Sequence, residues 1–510
     1  MLFCNFLIVA TTYSTMELHK LANGWILKLI MMKALRTFIY SLVLINWLVN
    51  SFPVLKEPSK DDFYIPPKNF EQSELGTILK YRRSPQKLRS LYFPIEIANS
   101  WDILIRSEDS YGNASAVVST LMEPFNANPK KLVAYNIAQD SSNIDCSPTY
   151  AILHGANVFV NLAAQAEFSL FAGAVLLNEG YFVLTTAFET TANNKAAFTA
   201  GRLAGKNILN SIRGALKSRE FTNLADPQVI LWGFSGGAQA SAWAVAQIDD
   251  YAPEVKSNIV GAAFGGLPSN LTETVLATDQ TLFAGLIPNG INGLIHEYPH
   301  LEPIFKSYMN ETQWNRLKRG ADYCLLPSIL DYAFENFVHQ NNCYFKHDFE
   351  IFHQEDIAKV LLENTLAVNN SSEIPTIPIF MYHGVWDQIV PFVNSQRVFR
   401  NWCEGGAGSI EFAIDVTGGH LSDLVLGLPA AAGWIKNRFD GIEPVSGCEQ
   451  LKYISLLSYP NASTQLSEIM KGLNNEFLGQ KIGPDKMKRS FYTEEDFAKV
   501  FINHMKLEYT

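Results

Sequence analysis

The sequence predicts an α/β fold with a mainly parallel central sheet and an inserted, mostly helical segment, and three observations lead there. Apolar strand-like runs alternate with helix-like segments, most clearly between residues 168 and 265. The alternation stops near residue 270 and resumes near 374. The run Gln228 to Trp232 breaks at Gly233 and continues, after Ser235, into a helix of small residues. Such alternation requires crossover connections, so the strands run parallel with helices on both faces, and ligands bind at their carboxyl ends.

In chain order, residues 1–51 form a targeting region outside the fold. Lys33 and Arg36 precede an apolar run, Phe38 to Val49. That run is shorter than the roughly 20 residues of a membrane-spanning helix and fits a signal peptide cleaved near Ser51, with Met32 as the working start. Residues 52–269 are the first part of the core. A helix-like stretch, Glu71 to Arg82, leads into strands at Ala98 to Arg106, Ala116 to Met122 and Lys131 to Ile137. A helix at Phe168 to Asn178, a buried strand at Tyr181 to Thr186 and an amphipathic helix at Thr199 to Ser218 precede the strand Gln228 to Trp232, and Ser257 to Gly265 is the next strand. Residues 270–373 are aromatic-rich and helical and read as an inserted cap. Residues 374–448 restore the core, with strands at Ile377 to Tyr382 and Ser409 to Val416 and a helix at Ala430 to Phe439. Residues 449–510 read as a C-terminal flap and tail, helical over Thr464 to Leu473 and Glu494 to Met505.

The 510 residues carry a formal net charge of −10, and no Lys/Arg cluster stands out. Nucleic acid and anionic membranes are therefore excluded as main partners, because phosphate binding needs clustered cations. No CxxC pattern occurs, and no metal and no cofactor is expected. Sequons at Asn113, Asn270, Asn310, Asn369, Asn370 and Asn461, with five cysteines beyond the targeting region, agree with a secreted, extracellular glycoprotein.

The motif Gly233-Phe234-Ser235-Gly236-Gly237 places a serine on a tight strand-to-helix turn, where glycines two before and two after leave room for crossing backbone. The helix N-terminus beneath the serine favours developing negative charge. A serine hydroxyl is a poor nucleophile until a histidine takes its proton and a carboxylate fixes that histidine. Both partners follow in the order this arrangement calls for. Asp387 stands in HGVWDQIVP just past one strand, and His420 in TGGHLSD just past the next. His383 reads as structural, Asp415 as a strand residue and Asp423 as a helix cap.

From about Phe63 to Tyr459 the chain resembles the secreted yeast lipases, an α/β-hydrolase family with a cap domain. The resemblance rests on SLYFPIEIANSWDILIRSEDSYGN, EPFNANPKKLVAY, NIDCSPTY, AGRLAGKNILNSIRGALKS, GFSGGAQASAWA, TLFAGLIPNGINGL, HGVWDQIVP and GGHLSDLVLGLPAAAGWIKNRFDG. It implies Ser235, Asp387 and His420 as a triad, disulfides Cys146–Cys324 and Cys403–Cys448, and a lipid ester at a lipid–water interface as substrate. Gly236 supplies one oxyanion donor. The family's PDYEG-type loop after Thr186 supplies the other, and here it reads TTAFETTANNKAAF, with Ala187 in place of Asp and Thr190 in place of Gly. The expectation is a serine lipase slowed by this altered loop. The alternatives are a short-chain carboxylesterase, an acyltransferase, or a lipid-binding protein with weak turnover.

Overall fold

The computed structural model describes residues 55–90, 94–339, 343–369 and 373–484. The expected signal peptide, Asn370 and the helix at Glu494 to Met505 lie outside them. Ten strands form one sheet: β1 (Ile78–Arg83), β2 (Asn99–Glu108), β3 (Ala114–Glu123), β4 (Asn128–Asn136), β5 (Tyr181–Thr186), β6 (Gln228–Phe234), β7 (Ile259–Gly265), β8 (Ile379–Gly384), β9 (Ser409–Asp415) and β10 (Gly447–Tyr453). Their spatial order is β1-β2-β3-β5-β4-β6-β7-β8-β9-β10. Strands from β5 to β10 are joined in parallel, while β1, β2, β3 and β5 pair antiparallel.

The central strands are apolar on both sides because both faces are covered. Val229 and Leu231 of β6 pack into one core with the helices Gly201–Leu216 and Gly236–Tyr251. Ile230 and Trp232 point the other way, into a core shared with the helices Phe168–Leu177, Leu428–Phe439 and Ala462–Phe477. That last helix lies tightly on the buried one: a Cβ on Gly472 would fall 2.0 Å from the Ala174 carbonyl oxygen. It begins and ends further out than the expected Thr464 to Leu473.

Two elements correct the sequence reading. The stretch Glu71 to Arg82 is not a helix: Ile78–Arg83 is an edge strand on β2, and the Tyr81 ring stacks on Phe221 at 4.1 Å. Strand pairing there overrides a weak helical pattern. Ser409–Asp415 is not the last strand either, since β10 adds in parallel at the far edge. Its side chains are mostly exposed, so no apolar pattern announces it.

Between β7 and β8 the described residues are helical and carry an apolar core of their own, including Ile287, Ile291, Trp314, Phe345 and Phe352. Disulfides join Cys146 to Cys324 and Cys403 to Cys448, as the resemblance implied, and Cys343 is a buried free thiol. Among the described sequons, Asn113, Asn310, Asn369 and Asn461 are exposed, whereas Asn270 is half-buried and caps the helix Leu271–Thr278.

Candidate active site

Ser235 sits between β6 and its helix with φ 52° and ψ −121°, a left-handed conformation that strains a residue bearing a Cβ. Its N–H donates to the Gly265 carbonyl at 2.8 Å, which helps hold the turn. The flanking glycines are required by close approach. A Cβ on Gly233 would lie 2.2 Å from the Gly237 backbone, and one on Gly237 would lie 1.8 Å from the Asn136 carbonyl oxygen.

The structure brings the three expected residues together. Ser235 Oγ lies 2.9 Å from His420 Nε2, and His420 Nδ1 lies 2.7 Å from Asp387 Oδ2. Asp387 is fixed by its own turn, its Oδ1 accepting from the N–H groups of Ile389 and Val390 at 2.9 and 2.7 Å. Burial would push this carboxyl up, but the adjacent His420 and hydrogen bonds from both histidines outweigh it and hold the group well below the usual carboxylate range. His420 opens the helix His420–Leu426, its N–H donating to Gln388 Oε1 at 3.1 Å. The Phe234 ring packs against the imidazole at 5.0 Å.

His383 has a larger place than a structural reading allowed. Fully buried, its Nε2 lies 3.0 Å from Asp387 Oδ2, the same oxygen that faces His420, and its Nδ1 lies 2.7 Å from Ser395 Oγ. It cannot replace His420 as base, because its ring faces the carboxylate and Ser395.

The groups that lie beside Ser235 differ from the expected oxyanion pair. Gly236 stands at the helix N-terminus, and among the described residues no acceptor takes its N–H. Ala187 does not reach Ser235. Its N–H donates to the Val118 carbonyl at 2.9 Å, prolonging the β3–β5 pairing, and its side chain is buried in the core. Asp140 occupies the expected place instead. It lies past the end of β4, the neighbour of β6, with Asn136 paired opposite Gly233. Its backbone turns at φ 48°, its Oδ1 lies 2.5 Å from where a Cβ on Gly236 would be, and its N–H has no acceptor among the described residues. Burial raises its carboxyl to about 6, with the charge of His420 opposing, so in mildly acidic solution the side chain is a neutral O–H donor. Sequence reasoning missed Asp140; the only signal was a short polar turn, AQDSS, directly after a strand.

The Asp140 turn is locked to the helical insertion. Asn289 Nδ2 donates to the Asp140 carbonyl at 2.8 Å, Ser141 Oγ to the Tyr323 carbonyl at 2.7 Å, and Cys146–Cys324 closes the same junction. Side chains of the insertion, among them Leu271, Ile287, Ile291 and Phe305, line an apolar cavity that opens onto Ser235, Gly236 and Asp140.

The sequence profile of the family described as "Secretory lipase" matches residues 154–447. The chain is 42% identical over 431 residues to Lipase 1 of Candida albicans, covering 84% of this chain and 91% of that protein. It is 34% identical to Lipase A of Arthroderma benhamiae, covering 84% and 89%. Among solved structures, Candida antarctica lipase A in its closed state superimposes with a TM-score of 0.71 at 28% identity, over 85% of this chain and 99% of that one.

Proposed function

Because the chain belongs to the secretory lipase family, a family of α/β-hydrolase ester hydrolases, we propose that it hydrolyses long-chain acyl esters, typically triacylglycerols, outside the cell, through Ser235, His420 and Asp387. Ser235 Oγ attacks the ester carbonyl carbon while His420 Nε2 takes its proton, and Asp387 stabilises the imidazolium and fixes its orientation. Negative charge on the carbonyl oxygen is met by the Gly236 N–H and by Asp140. As the ester C–O bond breaks, His420 returns the proton to the departing alcohol. A water activated by His420 then releases the acid from the acyl-enzyme by the same steps.

The observation that carries this reading is the relay itself: two hydrogen bonds, of 2.9 and 2.7 Å, join residues 235, 420 and 387. The apolar cavity at Ser235 supports an acyl chain as the recognised group. The test is turnover of a short- and a long-chain ester by the parent and by Ser235→Ala. Loss of one triad member costs on the order of 10⁴ to 10⁶ in rate, so Ser235→Ala is expected to be silent on both. Residual turnover within tenfold of the parent would remove Ser235 from the mechanism.

A further inference from the structure

The segments that leave the carboxyl ends of β8, β9 and β10 form a surface with an unusual composition. Residues 384–393, 416–428 and 453–460 contain no Lys, Arg or Glu. Their two aspartates, Asp387 and Asp423, have side chains that are each 1% exposed. Elsewhere charge is plentiful: the helical insertion presents exposed Lys306, Glu311, Glu350, Glu355 and Lys359. Beside the polar Gln388, Thr417 and Ser458, the side chains these segments expose are apolar. Trp386 is 69% and Ile454 76% exposed, and Val385, Val393 and Leu457 are exposed beside them in sequence.

The segments that carry Trp386 and Ile454 are hydrogen-bonded to one another through residues 416–418. The Trp386 N–H donates to the Gly418 carbonyl at 2.9 Å, and its indole Nε1–H to the Val416 carbonyl at 3.1 Å. The Val416 N–H in turn donates to the Tyr453 carbonyl at 2.9 Å, and Thr417 Oγ1 donates to the Ile454 carbonyl at 2.6 Å. The region borders the triad, since Trp386 precedes Asp387 and its carbonyl oxygen packs 3.1 Å from the Cβ position of Gly419, next to His420. Along the chain the last of these segments is bounded by the exposed Lys452 and Asn461.

We propose that this region, centred on Trp386 and Ile454, is where the protein docks on the surface of an uncharged lipid phase. The inference rests on the reading of the site as acting on long-chain esters, and adds which face meets them. Exposed indole and aliphatic groups gain free energy on leaving water, and an indole with a satisfied N–H suits the boundary between lipid and water. Segments that hold no Lys or Arg gain nothing from an anionic bilayer, and a chain of net charge −10 is repelled by one. A neutral ester surface is the partner that matches both facts.

The experiment uses the full chain and three variants: Trp386→Gln with Ile454→Gln, Ile454→Gln alone, and Leu362→Gln with Val368→Gln as a control on the insertion, where both residues are exposed. Each is assayed on a dissolved short-chain ester and on a triolein emulsion. Each is also made in the Ser235→Ala background and sedimented with triolein droplets coated in phosphatidylcholine, so that binding is read without turnover. The docking variants should keep the soluble rate within about twofold and lose about tenfold or more on emulsion and in sedimentation, the equivalent of removing one or two buried apolar side chains. Ile454→Gln alone should show part of the loss, which guards against disturbance of the Asp387 turn by the Trp386 change. The control should match the parent. Equal loss on the soluble and emulsified esters would overturn the proposal, as would emulsion loss confined to the insertion control or parental emulsion rates in the docking variants. Tighter sedimentation with anionic than with neutral droplets would overturn it as well. A parent that sediments with droplets yet hydrolyses no ester would sink the catalytic reading and leave the docking surface standing.

Discussion

The turns after β4 and β5 leave neighbouring strands at the same end of the sheet, and only one of them reaches the nucleophile. β5 is the strand nearest to β6 in sequence, yet β4 lies between the two in space. The β5 turn is therefore one strand too far away, and its first N–H, at Ala187, simply prolongs pairing with β3. The β4 turn adjoins Ser235, reverses at Asp140 and is anchored to the insertion by hydrogen bonds and the Cys146–Cys324 disulfide. Which turn lies beside Ser235 is thus set by sheet order, and on the proposed reading the loop after β5 takes no part in binding the oxyanion. The β5 turn contributes in another way: Glu189 is a buried acid whose carboxyl is raised well above its ordinary value, first by burial and then by the charge of Asp140.

The sharpest way to break this comparison is to alter each turn in turn. Asp140→Ala should lower kcat by about 10² to 10³, the usual cost of one oxyanion donor, with kcat falling more than KM rises. Asp140→Asn keeps a donor and should lose less. A loss under tenfold for Asp140→Ala would mean that the backbone N–H alone serves the oxyanion.

A second effect concerns the shared carboxylate. His383→Ala removes one of two histidines on Asp387 Oδ2 and should cost about tenfold in kcat, far less than His420→Ala, because base and nucleophile remain. Comparable losses in the two variants would show that His383 does far more than position Asp387. Because Asp387 is held low, it stays ionised across neutral pH, and its own titration should leave no mark on the activity profile there.

A smaller effect lies behind the histidine loop. Asp423 is raised to about 9, chiefly by burial and then by Asp415 and Asp387, and neither of its oxygens has a partner among the described residues. Since an unfolded aspartate titrates near about 4, the folded state holds a proton that the unfolded state has released throughout that interval. The group's contribution to stability therefore declines as pH rises from about 4 towards 9. Asp423→Asn, which cannot ionise, should show a flatter dependence of Tm on pH and a widening advantage over the parent between pH 5 and 8. Parallel curves would show that Asp423 is ionised in the fold.

The smallest effect completes the comparison. Ala187→Gly should change kcat by less than about twofold, since the N–H it keeps is already paired in the sheet. A larger change would restore the β5 turn as the donor loop.

Several features of the protein were decided by the sequence alone because their physics is local. Crossing backbone at a strand-to-helix turn admits only glycines around Ser235, and the unbroken apolar run Val229 to Trp232 of β6 demands cover on both faces. Asp387 and His420 were legible because each stands just past a strand, in the order Ser, acid, His. Tertiary structure decided what depends on neighbours distant in the chain. The half-buried β1 edge and the mostly exposed β10 edge depend on hydrogen bonds to β2 and β9, which leave little apolar pattern. The place of Asp140 beside Ser235 has the same cause: backbone pairing joins strands by spatial order, and a sequence lists them by connection, so the turn next to Ser235 belongs to a strand about a hundred residues earlier.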